Sequence, residues 1–258
     1  MNSEPRSVIG EIIAALNLPA SAQVERRVPK KLLLENGAPT AADKRHINDG
    51  IEELFWVAAL KPTTIGVSEY RDAEREYLEI AVLRFTLRAG AKAARLVELV
   101  HRAVPYPLLL LMEHAGQVVF SAAHKRWAQN EAGKTVLDGD VIAAEWENGS
   151  EAPHLEEFRE VLALERQPHG TLRALYQGWM DALIAFNAAR LTGSFNPAAD
   201  SKQAKARQEA LRECARLDAE IARLRAAAGK EKQMARKVEL NMELKRIEAA
   251  HASARARL

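Results

Sequence analysis

Between Ala91 and Trp127 the spacing of apolar and polar positions changes period twice, and the rest of the chain is read around that stretch. In AKAARLVELVHRAV, Leu96, Val97, Val100, Ala103 and Val104 recur at helical spacing, which predicts a helix. Pro105-Tyr106-Pro107 ends it, because proline lacks an amide hydrogen and pushes the preceding residue into extended conformation. Leu108 to Met112 follow as an unbroken apolar run, too short for a helix and apolar on both alternating faces. That pattern predicts an interior strand covered on both sides. His114-Ala115-Gly116 is a turn, Gln117 to Ala123 a second strand, and His124-Lys125-Arg126-Trp127 its basic end.

Upstream, Val8, Ile9, Ile12, Ile13 and Leu16 form a helical stripe that stops at Asn17-Leu18-Pro19. Val24 to Val28 and Lys31 to Leu34, around Pro29, fit an edge strand and a turn. Thr40 with Asp43 resembles a capping box, and Ile47, Ile51, Leu54, Phe55 and Ala58 on one face predict a second helix running to Leu60. Thr63 to Val67 and Tyr77 to Leu87 are strands by composition. The buried face of the longer one changes halfway, from Leu78, Ile80 and Val82 to Leu83, Phe85 and Leu87, which calls for a bulge or for cover on both faces. With the central helix and strand it makes a βαβ unit and a parallel pair. Val136 to Trp146 reads as one more strand, and Leu155 to Leu164 and Leu172 to Leu191 as helices that carry Phe158, Tyr176, Trp179 and Leu183 to the core.

From Ala198 the chain is alanine, charge and spaced aliphatics. Cys214, Leu217, Ile221, Leu224 and Ala228 keep steps of three and four, a coiled-coil seam. Ala228-Gly229-Lys230 interrupts it, and a second arm of similar length predicts an antiparallel hairpin. In that arm, at about 100° per residue, Val238 and Met242 lie at about 40° and 80° from Met234. Leu240, Leu244 and Ile247 lie between about 220° and 280°, with Asn241 at about 340°. One apolar group packs on the first arm; the other is left for the α/β body, a second copy or a partner protein. Asn241 inside such an arc is a candidate for fixing register or partner choice. The expected architecture is a mixed α/β domain over 1–196 and a helical hairpin over 197–258.

Composition sharpens this picture in three places. No apolar run, that of Pro107 to Met112 included, comes near the roughly 18 residues of a membrane span, so no membrane insertion is expected. A single cysteine, Cys214, points to a cytoplasmic chain without an internal disulfide, which leaves the sequon Asn148-Gly149-Ser150 without glycosylation meaning. The formal charge of +2 is divided: from Ser201 onward there are 15 Lys and Arg against 8 Asp and Glu, hence 22 against 27 before it. A slightly acidic body carries a basic tail.

Catalytic motifs are weak. Gly133-Lys134-Thr135 lacks the glycine that a phosphate loop needs at the position of Ala128. Neither Glu79 nor Glu113 is followed by lysine at the spacing of a metal-dependent nuclease, and Asp138 and Asp140 flank a turn glycine. His46, His101, His114 and His124 are scattered without zinc-ligand spacing, and no nucleophile elbow is present. No cofactor or metal is expected. His124, Lys125, Arg126 and Trp127 form the one compact cluster that could hold a phosphate or a base, against the plainer reading of a charged strand end. The partner-interface candidates are Met234, Val238, Leu240, Asn241, Met242 and Leu244.

The run Val104-Pro105-Tyr106-Pro107-Leu108, the strand end Ala123-His124-Lys125-Arg126 and the tail segment from Glu231 to Asn241 (EKQMARKVELN) resemble a bacterial family, domain of unknown function forty-three ninety-one. The similarity runs from about Lys30 to the C-terminus, with Met234 where the family favours a phenylalanine-like residue. The resemblance implies a setting beside DNA methyltransferases and helicases of restriction-like antiviral defence loci, and it brings no catalytic residues. The expectation is therefore a non-catalytic accessory subunit that docks through its hairpin onto a larger DNA-acting protein, helicase or methyltransferase, with homo-oligomers open to it through the coiled coil. A divergent metal-dependent nuclease and a direct nucleic-acid binder using the basic tail are the alternatives.

Overall fold

The computed structural model describes residues 8–129, 131, 133–147, 152–198 and 200–258; the sequon at Asn148 lies outside them. The chain divides into two compact units, one ending at Leu183 and the other running from Ile184 to Leu258. The division falls inside a long helix rather than after it.

The first unit opens with α1 (Val8–Ala15), β1 (Gln23–Arg27), α2 (Lys30–Asn36), α3 (Ala41–Gly50) and β2 (Ile51–Leu60). Next come α4 (Pro62–Ile65), β3 (Tyr70–Arg71), β4 (Glu76–Tyr77), β5 (Ile80–Leu87), α5 (Ala93–Ala103) and β6 (Leu108–His114). It continues through β7 (Gln117–Ala122), β8 (Lys125–Trp127), β9 (Thr135–Leu137), β10 (Ile142–Glu147) and α6 (Leu155–Val161), and enters α7 (Leu172–Thr192). A mixed sheet runs β1-β2-β5-β6-β7-β10, with β3-β4 and β8-β9 as two small ribbons. β5 and β6 pair in parallel across α5, the expected βαβ unit, and the other neighbours are antiparallel.

The central strand is where the apolar run placed it. Leu108 to Leu111 are fully buried between β5 and β7, because consecutive side chains alternate between two covered faces. On one face Leu83, Phe85, Leu110 and Met112 pack under α2, α3 and α5 through Leu33, Ile47, Leu96 and Val100. On the other face Phe120 meets Phe158 of α6 at 6.2 Å between ring centres, and the Tyr176 hydroxyl of α7 donates to Leu108 O at 2.8 Å. β5 is likewise buried on both faces from Ile80 to Leu83, which accounts for its change of apolar side. The β6–β7 turn is two residues, Ala115 and Gly116, both with positive φ (50° and 78°), the backbone a tight hairpin requires.

Four stretches differ from the sequence reading. The helix begun at Thr40 stops at Gly50, and Ile51 to Leu60 is β2, paired with β5 on one side and β1 on the other. Gly50 marks the change: a Cβ there would lie 2.7 Å from a Leu96 methyl and 3.2 Å from the Ala91 Cβ, so a larger residue would have to push the Leu96 side chain aside. Lys30–Asn36 is a helix where a turn was expected, and Pro62–Ile65 a short helix in place of a strand, started by Pro62 and by the Thr64 hydroxyl that accepts from Lys61 N at 2.9 Å. The stretch from Val136 to Trp146 is split into β9 and β10, with Gly139 at φ 90° between them.

The second unit holds the end of α7 with α8 (Ser201–Lys230) and α9 (Met234–Arg255). Cys214, Leu217, Ile221 and Leu224 of α8 are buried with Ile247 and Ala254 of α9, and Leu191, Leu240 and Leu244 pack around them. Two rungs set the antiparallel sense: Arg225 to Glu248 at 2.7 Å, and Arg207 Nε donating to Leu258 O at 3.1 Å. Gly229 stays helical and the turn is Glu231 to Gln233, where Gln233 N donates to the Glu231 carboxylate at 2.8 Å.

Candidate functional site

The cluster at residues 124–127 starts the short β8 ribbon, and its side chains go different ways. Lys125 is 2 % exposed, and its ammonium donates to the carbonyls of His101 and Val104. Those carbonyls belong to the last turn and C-cap of α5, which lack partners of their own in the helix and carry partial negative charge. Lys125 therefore closes the C-terminal end of α5. Burial pulls its pKa down to about 7.

His124 sits between two elements. Gln177 Nε2 donates to Asp181, which turns the Gln177 carbonyl toward His124 Nε2 at 2.7 Å. The Nε2–H then donates to Gln177, leaving Nδ1 to accept from the Tyr77 hydroxyl at 2.5 Å. Burial lowers the pKa of His124 and raises that of Tyr77, so the pair is held neutral. Arg126 donates to Trp127 O at 3.1 Å and lies 3.9 Å from Asp138, whose carboxylate is already held by Arg75 at 2.6 Å. Of the four candidates Lys125 alone is buried; His124, Arg126 and Trp127 are partly open to solvent, with Arg126 the one cation among them that faces out.

Other chemistry-bearing residues are drawn into the fabric of the fold. His101 is fully buried, with Nε2 3.0 Å from the Ser121 hydroxyl and Nδ1 without a hydrogen-bond partner. Burial first, and then the Lys125 charge, lowers its pKa to about 3. Glu79 pairs with Lys61 at 3.1 Å, and Lys134 of the former phosphate-loop candidate pairs with Glu131 at 2.8 Å. The Thr135 hydroxyl donates to Pro105 O at 3.1 Å, so this stretch ties β9 to the end of α5.

The interface candidates on α9 separate as their helical angles require. Leu240 and Leu244 are half-buried against α8, beside fully packed Ile247. Met234, Val238 and Met242 are 75, 51 and 69 % exposed. Spaced by four, they make one apolar stripe on the solvent side of α9. Asn241 is exposed and borders that stripe rather than standing between the two arms. Lys237, Lys245 and Arg246 flank or interrupt it, while the acidic neighbours Glu239 and Glu248 are held by Arg236 and Arg225 at 2.6 and 2.7 Å. No sequence signal marked Lys125 as an inward group; the stripe was legible because helical period alone sorts it.

A search of curated proteins and a search of solved structures each give no match. The family described as Domain of unknown function (DUF4391) matches residues 16–250, which includes the central strand, the ribbon at Lys125 and nearly all of both hairpin arms. The chain belongs to that family.

Proposed function

We propose that this protein is a non-catalytic docking subunit, and that the stripe Met234, Val238 and Met242 on α9 seats against an apolar surface with an acidic rim on a partner protein. The observation that carries the reading is their exposure, 75, 51 and 69 %, on a helix whose opposite side is already packed. Large apolar side chains left to water in register are costly unless covered, and methionine adapts to an uneven surface. Lys237, Lys245 and Arg246 give the face its sign, so the partner presents carboxylates. The partner that the family resemblance leads one to expect is a DNA methyltransferase or helicase of a bacterial defence system.

The test is co-purification of the tagged chain with the methyltransferase or helicase of its own cell, comparing wild type with a Met234→Asp, Val238→Asp, Met242→Asp triple variant. The positions are exposed, so the variant should keep its helical spectrum and lose the partner. Equal retention by the variant, or the absence of either enzyme from the wild-type complex, overturns the reading. Direct nucleic-acid binding is the second reading, favoured by the excess of 15 cations over 8 acids from Ser201 onward. A shift of labelled DNA by the purified chain that weakens steeply with salt would support it instead.

A further inference from the structure

Arg173 lies in the first turn of α7, where Leu172 N donates to Ser68 O at 2.8 Å and Ala174 N to the Thr171 hydroxyl at 3.2 Å. That turn holds no acidic residue. A helix carries partial positive charge at its amino end, so a guanidinium there occupies a place that favours a carboxylate. Among the described residues Arg173 enters no ion pair, and its buried Nε has no hydrogen-bond acceptor. Its guanidinium lies over the face of Tyr70, 5.1 Å from the ring centre, which attracts the charge but accepts none of the N–H groups in their own plane. A buried donor left this way calls for an acceptor from outside the chain.

The acids around Tyr70 are committed elsewhere. Asp72 accepts from the Tyr70 hydroxyl at 2.7 Å and from the amides of Glu74 and Arg75 at 2.8 and 2.6 Å. Asp138 is held by Arg75 at 2.6 Å. One turn along α7 from Arg173, Gln177 holds His124, and Tyr70 meets the His124 partner Tyr77 edge-on at 6.2 Å. Burial first, and then the Arg173 charge, lowers the pKa of His124, so that charge acts on the Tyr77 and His124 pair. Arg173 itself is partly open to solvent, which leaves the guanidinium within reach of a ligand. We propose that Arg173 and the first turn of α7 bind a phosphate monoester beside Tyr70. The planar fork of guanidinium N–H groups matches two phosphate oxygens, and the opening amides of the helix favour the remaining charge. The bound oxyanion gives Nε the acceptor it lacks and compensates both the cation and the helix end. The inference uses none of the α9 residues, so it can fail while the docking reading stands, and the reverse.

The test is titration of the full chain with inorganic phosphate at constant ionic strength, followed by calorimetry and by the His124 imidazole signals in NMR. Wild type is expected to bind one phosphate saturably and to shift those signals. Arg173→Gln should weaken binding roughly tenfold or more, whereas Lys44→Gln, an exposed change on α3, should leave it unaltered. A parallel titration with adenosine monophosphate identifies the source: tighter binding than inorganic phosphate means a nucleotide ligand, equal binding means the free ion, and both carry the site. Arg173→Lys keeps the charge without the fork and guards against a poorly folded Gln variant; it should bind more weakly than wild type at wild-type melting temperature. Absence of saturable binding by either probe overturns the proposal. So does wild-type affinity in both Arg173 variants, or binding that leaves the His124 signals in place, which would put the phosphate on cations elsewhere.

Discussion

Lys125 shows what a cation does when the fold takes it out of water. The ammonium donates to two carbonyls that the end of α5 leaves unpaired, so removing the amine orphans both His101 O and Val104 O. Lys125→Met should lower stability by about 1–3 kcal/mol in urea unfolding and leave any DNA affinity unchanged; a loss of affinity at constant stability would show that the amine reaches a ligand. The pH dependence has a definite sign. Unfolded Lys125 keeps its proton up to about 10.5 and the folded one releases it near 7, so the unfolded state binds more protons in that window and stability rises with pH across it. His101 acts in the same direction lower down: its unfolded value is 6.5 and its folded value about 3, so stability is present above 6.5 and is lost as pH falls toward 3. Unfolding measured through both windows should show two rising limbs; Lys125→Met should flatten the upper one, and His101→Gln the lower.

At the scale of elements, β6 is an interior strand, paired with β5 on one side and β7 on the other. Leu110 is fully buried, so Leu110→Asp places an unpaired charge between two covered faces and should cost about 3–5 kcal/mol or more, enough to unfold the first unit. A variant that melts like wild type would refute an interior position. This strand was legible because five consecutive apolar residues between prolines and a turn admit few other readings. β2 was not: Ile51, Leu54, Phe55 and Ala58 satisfy a helical face, and what makes them a strand is pairing with β5 and β1, partners that no local window contains. On the hairpin the reverse holds, since the helical period separates Leu240, Leu244 and Ile247 from Met234, Val238 and Met242 without tertiary information. Lys125 escaped the sequence reading because a basic strand end looks alike whether its lysine points out or in. Asn241 faces water, so Asn241→Leu should change stability by no more than about 0.5 kcal/mol, and a clear rise in melting temperature would mean that it is covered.

For the molecule as a whole, the two compact units have opposite balances of charge. From Ile184 onward there are 16 cations and 9 acids, leaving 21 and 26 before it, which is +7 against −5. Binding of the proposed acidic partner to the basic α9 face should therefore weaken as salt rises, with a screening length of about 8 Å at physiological ionic strength. Leu217→Asp, in the α8 seam, should raise amide exchange along α8 and α9 while the β6 amides stay protected. Uniform loss of protection would mean that the two units fold as one. The exposed stripe has one more consequence, a chemical one. Met234 and Met242 present their thioethers to solvent, where mild peroxide converts them to sulfoxides, polar groups that methionine sulfoxide reductases restore. The proposed docking face, built on two such residues, would be an oxidant-sensitive contact. Peroxide-treated protein, its two added oxygens located by mass spectrometry, should lose the proposed partner, and reductase treatment should return it.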